Sequence, residues 1–225
     1  MTDKIVLVVA AHSDDEALGC GGTIAKHVHE GDTVHTIFLT DGVSSRDKAS
    51  STESTQRSLA TSEAQNILGV KKYHMLKFPD NQLDTVPLLE VVKKLERIID
   101  DIGPQIIYTH SELDLNVDHQ IAYRAVVTAC RPYPGNKVKE IYCFEVLSST
   151  EWNNSSNGSF RPDRYVDITK HLDTKMKAIN CYKNEMREIP HARSYDNVLN
   201  LAKYRGNSVG LKYAEVFQVI RVIED

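Results

Sequence analysis

Apolar positions along the chain fall into two periodicities, and their alternation lays out a fold. Residues 5–10, Ile-Val-Leu-Val-Val-Ala, are apolar throughout and mostly β-branched, the pattern of a strand buried on both faces of a parallel sheet. Similar runs recur at 33–39, 73–78 and 105–109, with helical spacing between them. Residues 17–30 predict a first helix ended by Gly31, and the small residues Gly19, Cys20, Gly21 and Gly22 would let it pack close to the sheet. A second helix follows a polar, Ser/Thr-rich start from Ser44 and ends at Leu68-Gly69. In the third, Thr85 reads as the cap and Pro87 as a first-turn residue, with Leu88, Val91, Val92, Leu95, Ile98 and Ile99 on a core face. A fourth, opened by His119, spans 120–130. Strands alternating with helices predict an α/β fold, a Rossmann-like and mostly parallel sheet with helices on both faces.

Beyond Arg131-Pro132 the pattern changes. Residues 138–146 read as a strand with more alternation, 151–162 as a loop, and Tyr165-Val166-Asp167-Ile168 leads into a helix over 169–184. A turn with cationic groups, Ile189-Pro190-His191-Ala192-Arg193-Ser194, precedes a short helix from Asp196 to Arg205-Gly206 and a strand over 213–222. No repeat or linker interrupts the chain, so residues 1–225 are expected to form a single domain whose last third is a lid or C-terminal extension.

The chemistry is expected where strands give way to polar clusters. His12, Asp14, Asp15 and Glu16 follow the first strand, at the carboxyl end where open α/β sheets form their ligand crevice. Acids this close repel one another unless a cation neutralises them, and imidazole with carboxylate suits Zn²⁺. His12 and Asp15 can converge on one metal in such a loop while Asp14 points elsewhere, free to work as a base. The plainer alternative makes Asp14 or Asp15 a helix cap and His12 a loop histidine. A second cluster, from His110 through Asp114, Asn116 and Asp118 to His119, follows the fourth strand at the same sheet edge, and a third ligand could come from the helix start there. Arg57 reads most simply as part of a solvated helix face. A GxGxxG phosphate loop is absent, as is the DxDxT pattern that would make Asp41 a phosphatase nucleophile.

Composition narrows the partners. At 225 residues and 41% hydrophobic content the chain can bury a full core. A net charge of −4, a pI near 6.1 and no basic run argue against a nucleic-acid surface, and no polybasic amphipathic helix points to a membrane. A small-molecule partner is expected, and self-association into a homo-oligomer is compatible with the sequence. Met1 leads straight into a short apolar strand rather than a signal core, which predicts a cytoplasmic protein. The triplets Asn153-Asn154-Ser155, Asn154-Ser155-Ser156 and Asn157-Gly158-Ser159 fit a glycosylation pattern that requires secretion, and read here as a polar loop. Cys20, Cys130, Cys143 and Cys181 are scattered without a CxxC pair, as small buried hydrophobes would be.

Ala11-His12-Ser13-Asp14-Asp15-Glu16 and Asp114-Leu115-Asn116-Val117-Asp118-His119 resemble the two motifs of the PIG-L (LmbE-like) family of zinc-dependent de-N-acetylases, Ala-His-Pro-Asp-Asp-Glu and a segment ending in Asp-His. Softer landmarks extend the likeness over most of the chain: the Arg57 helix, Phe78-Pro79-Asp80, Ala129-Cys130-Arg131-Pro132, Pro190-His191-Ala192-Arg193-Ser194, Arg205-Gly206 and Tyr213-Ala214-Glu215. The resemblance implies removal of acetyl from an N-acetylated sugar or conjugate, with His12, Asp15 and His119 holding Zn²⁺ and Asp14 as general base. Some members carry an oxyanion-stabilising histidine where this chain has Asn116, which leaves Asn116, His110 and His191 as candidates for that role. Arg57, Asp80, Asp118 and Arg131 would be the substrate-binding residues, Asp118 also orienting a histidine and the other three contacting sugar hydroxyls or an anionic substituent. Ser13 replaces the family's proline, freeing the φ of the loop without removing a ligand. Two other readings remain: an amidase acting on another acylated small molecule, such as a thiol-sugar conjugate or antibiotic, and a non-hydrolytic nucleotide-binding module.

Overall fold

The computed structural model describes residues 3–40, 42, 51–153 and 158–224, with only the backbone of 51 and 52. Asp41, part of the turn that starts at Ser44, and most of the asparagine-serine loop lie outside the described residues. Strand β1 (Ile5–Ala10) is buried on both sides as its composition predicts. Val6 and Val8 enter one core and Leu7 and Val9 the other, because successive side chains of a strand point to opposite faces. Strands β2 (Thr33–Thr40), β3 (Lys72–Phe78), β4 (Ile106–His110) and β5 (Glu140–Phe144) run parallel to it. The last third is no lid but an extension of the same sheet: β7 (Ala214–Val222) pairs antiparallel with β5, and β6 (Arg164–Asp167) pairs antiparallel with β7 and so runs with β1, giving seven strands in the order β3-β2-β1-β4-β5-β7-β6.

Helices α1 (Asp15–His29), α2 (Ser51–Leu68) and α5 (Leu172–Cys181) pack together on one face, α3 (Leu88–Ile102) and α4 (Val117–Ala129) on the other. Helix α6 (Tyr195–Asn207) lies against β7. The chain moves outward from β1 through β2 to β3, then returns to place β4 on the opposite side of β1. This reversal leaves a crevice between the carboxyl ends of β1 and β4, where ligands bind in open α/β sheets.

Three local expectations are corrected. Asn116, not His119, starts α4: its side-chain oxygen accepts from the Asp118 and His119 amides, which puts His119 in the first turn. Thr85 closes a separate 3₁₀ turn (Leu83–Thr85), α3 begins after Pro87, and Leu88 is exposed rather than on the core face. Helix α1 is broken at Cys20, whose φ of −144° and ψ of 21° are not helical. Glu215 of β7 accepts from the amides of Gly22 and Thr23 where the helix resumes, at 2.9 and 2.6 Å, and Lys175 pairs with it at 2.6 Å. A Cβ on Gly19 would overlap the Phe144 ring, so the close packing expected of the small residues is real.

Candidate active site

The loop after β1 and the first turn of α4 meet in the crevice. His12 Nδ1 lies 3.2 Å from Asp15 Oδ2, and His119 Nε2 lies 3.3 Å from each of them. Donor atoms held at zinc's usual bond lengths on three corners of a tetrahedron stand about 3.3 Å apart, so this triangle fits a divalent cation without rearrangement. The far nitrogens of both histidines face carboxylates: His12 Nε2 is 3.3 Å from both Asp80 and Asp118, and His119 Nδ1 is 3.1 Å from Asp114. Such carboxylates fix tautomer and ring orientation, leaving the inner nitrogen's lone pair for a metal. They are themselves fixed. Asp118 accepts the amides of Asn81 (2.8 Å) and Leu83 (3.0 Å), and Asp114 accepts the hydroxyls of Ser149 and Thr150.

Electrostatics follow from packing. Burial opposes ionisation of Asp15, but the adjoining imidazoles, His119 first, hold its carboxyl well below the usual range. Burial likewise disfavours a charged His119, yet Asp15 and Asp114 outweigh it and place its pKa at about 9. Asp14 is pushed up by burial, against the pull of Arg57 and then Arg193. Asp14, Asn81 and Ser148, all lining the cleft, have φ of 140°, 51° and 63°. Strained backbone of this kind clusters at functional sites. The Asp14 conformation is held by Glu16, which accepts its amide at 2.9 Å and is anchored by Tyr182 and Gln65, each at 2.8 Å.

These groups border a cleft of about 190 Å³ lined by His12, Asp14, Asp15, Arg57, Asp80, Asn81, Asn116, His119, Ser148, Ser149, Glu185 and Arg193, among others. The family model described as GlcNAc-PI de-N-acetylase, PIG-L, matches residues 7–130, which contain all three corners of the triangle. The chain belongs to the PIG-L family. Among its relatives, a probable N-acetyl-alpha-D-glucosaminyl L-malate deacetylase 2 of Bacillus cereus is 28% identical over 85% of this chain and 89% of its own length. A 4-oxalmesaconate hydratase of Pseudomonas putida is 30% identical over 79% of this chain and 72% of its own. The solved N,N'-diacetylchitobiose deacetylase of Pyrococcus horikoshii superposes with a TM-score of 0.80 at 23% identity, covering 98% of this chain and 85% of that one, a likeness of fold.

Set against the PIG-L resemblance, the structure brings His12, Asp14, Asp15, Asn116 and His119 together, with Arg57 and Asp80 beside them. Arg57 is no solvated residue: it is buried, donates from Nε to Ser13 Oγ at 2.9 Å and pairs with Glu185 at 2.6 Å. Asp118 is not open to substrate but sits behind His12. His110 is corrected as an oxyanion candidate. Its Nε2 accepts the Ala11 amide at 2.9 Å, burial drives its pKa down to about 3, and its ring stacks on His119 as a shelf, 3.9 Å between centroids. His191 lies exposed against Trp152, outside the cleft lining, with Nδ1 accepting the Arg193 amide. Arg131 is exposed, pairs with Glu96 and does not line the cleft. Sequence reasoning missed Ser149, Asn81 and Glu185, placed Asp114 in the second cluster without its role as partner of His119, and gave Arg193 no role. The described cysteines are unpaired, and Cys181, unlike the other three, is only half-buried.

Proposed function

We propose that the protein is a metal-dependent hydrolase that removes the acetyl group from an N-acetylated sugar or sugar conjugate, with Zn²⁺ held by His12 Nδ1, Asp15 Oδ2 and His119 Nε2. The observation that carries the reading is the donor triangle, open to a cleft that also contains a carboxylate outside the triangle, in a chain of this family. Three protein ligands leave a position for water or substrate. When bound, zinc would lower the pKa of a water to ~7 and polarise the amide carbonyl.

The chain's own groups supply the rest. Asp14 takes the proton from the attacking water and returns it to the departing amine. Asn116 is oriented by its cap: the oxygen accepts the Asp118 amide at 2.8 Å, so the NH₂ is turned away, with one N–H given to Asn81 Oδ1 at 3.2 Å. The other N–H is the donor for the tetrahedral oxyanion. Asp118 and Asp114 keep the inner nitrogens of His12 and His119 unprotonated toward the ion. Asp80, which lines the cleft, is the polar contact for sugar hydroxyls, whereas Arg57 is already committed to Ser13, Asp14 and Glu185.

No described helix is long and apolar enough to cross a membrane, and the reading needs no membrane or nucleic-acid partner. A second reading, hydration of an unsaturated acid, is favoured by the hydratase relative. Elemental analysis, then acetate release from N-acetylglucosamine and its conjugates, tests the first. Metal-bearing protein that releases no acetate but bleaches the ultraviolet absorbance of an unsaturated dicarboxylic acid would replace it with the second.

A further inference from the structure

Asp14 is gripped from two directions by arms of one design. Arg57, from α2, places Nη2 3.4 Å from Asp14 Oδ1 and donates from Nε to Ser13 Oγ at 2.9 Å. Arg193, from the turn before α6, places Nη1 3.0 Å from Asp14 Oδ2 and donates from Nε to Ser148 Oγ at 2.9 Å. Each carboxylate oxygen has its own guanidinium, and each guanidinium is pinned in its plane by a serine hydroxyl. One of those serines, Ser13, stands where the family motif carries proline, which has no hydroxyl to offer.

The backbone behind the second arm is equally fixed. The Arg193 carbonyl accepts the Arg187 amide at 2.9 Å, its amide donates to His191 at 3.0 Å, and Ser194 caps α6 by accepting from Asn197 at 3.2 Å. We propose that Arg193 is a positioning residue which, together with Arg57 and the tethers Ser148 and Ser13, clamps the Asp14 carboxylate in the orientation from which it accepts the water's proton. The clamp rests on the hydrolase reading for its purpose, though not for its geometry. A planar guanidinium bonded at two points restrains rotation of the carboxylate, which a flexible ammonium does not. A substrate contact is the competing role for Arg193, but its Nη1 and Nε are already engaged with the protein.

The test is steady-state kinetics of Arg193→Ala, Arg193→Lys and Ser148→Ala on the best acetylated substrate, with metal content measured on each. Misplacing a reacting group by about 1 Å costs on the order of 10²-fold. Arg193→Ala should therefore lose about that factor in kcat, with KM within about threefold and metal retained. Ser148→Ala should lose less and Arg193→Lys should recover little. Added guanidinium at non-denaturing concentration should restore part of the Arg193→Ala rate and none of that of Asp14→Asn. An unchanged kcat, a loss confined to KM, or loss of metal would each overturn the clamp. If Arg193→Ala does not fold, Arg193→Lys and Ser148→Ala decide by the same criteria.

Should wild-type protein release acetate from nothing, the hydrolase reading fails by itself. The clamp is then judged by unfolding midpoints of chelated Asp14→Asn, Arg193→Ala and the double variant. Non-additive shifts support it, and additive ones overturn it.

Discussion

The two ends of the sheet use the same residue types to opposite effect. At the amino end of the strands, Asp32 accepts from His27 Nδ1 at 2.6 Å, His27 Nε2 lies 2.9 Å from the Tyr108 hydroxyl, and Arg164 donates to that hydroxyl at 2.8 Å. One neutral tautomer of His27 satisfies every step, since donor and acceptor alternate from guanidinium through phenol and imidazole to carboxylate. At the carboxyl end, His12 Nδ1, Asp15 Oδ2 and His119 Nε2 converge on a common point, and the outer nitrogens of the two histidines are already committed to Asp118, Asp80 and Asp114. The first arrangement closes on itself and the second calls for a cation. Direction of donors, more than the presence of buried histidine and acid, separates scaffold from site.

The sharpest way to break that comparison is to remove a corner of the triangle. Wild-type protein should contain about one zinc per chain, and His119→Ala should lose both metal and acetate release, because two protein ligands do not make a catalytic zinc site. Chelation should abolish activity in wild type, and added zinc should restore it. Tyr108→Phe, at the other end, should keep full metal and kcat. Full occupancy in His119→Ala by elemental analysis would erase the distinction between the ends.

Within the carboxyl end, groups that touch the metal should separate from those that touch the reaction. Asp14→Asn keeps shape and metal but cannot take the proton, so kcat should fall by roughly 10²- to 10⁴-fold. Loss of zinc in this variant, with retention in Asp15→Asn, would show the two aspartates exchanged. Asn116 needs two substitutions because it caps α4 and is also the proposed oxyanion donor. Asn116→Ala and Asn116→Ser should each lose about 10²-fold in kcat. Only the alanine variant should lose about 1 kcal/mol of stability, since serine preserves the cap. Equal kcat in all three proteins would remove the carboxamide from the oxyanion.

What the sequence disclosed and what it hid follow from separation along the chain. His12, Asp14 and Asp15 were legible because they are contiguous and begin where an apolar strand ends. His119 was legible as the close of a second such cluster, but the start of α4 was misread, which hid Asn116 as its cap and Asp114 as the partner of His119. Arg57 looked solvated because α2 is polar on most sides, and only the tertiary fold turns that polar side into the crevice. Arg193 lies 179 residues from Asp14, too far for any periodicity to report the contact. His110 misled in the other direction: a histidine at a strand end looks catalytic until the Ala11 amide is seen to occupy its lone pair.

The smallest expected effect belongs to the amino-end chain, and it is a matter of stability. Tyr108→Phe removes the hydroxyl between His27 and Arg164 and strands one donor and one acceptor in a mostly buried setting. Loss of such a partner costs about 1–3 kcal/mol, nearer the lower figure here because His27 retains some solvent contact. The pH dependence carries a definite sign. Burial lowers the pKa of His27 below its ordinary value despite the Asp32 hydrogen bond, so below about pH 6.5 the unfolded chain binds a proton that the folded chain resists. The stabilisation from neutral His27 is thus complete above the unfolded pKa and is lost as pH falls through the lower, folded value. Urea unfolding of wild type and His27→Gln, both at equal zinc saturation, should show the wild-type advantage shrinking as pH drops from 7 toward 5, with acetate release at pH 7 unaffected. An advantage that grows on acidification would mean that His27 is held protonated by Asp32, and that the amino-end chain is an ion pair rather than a neutral relay.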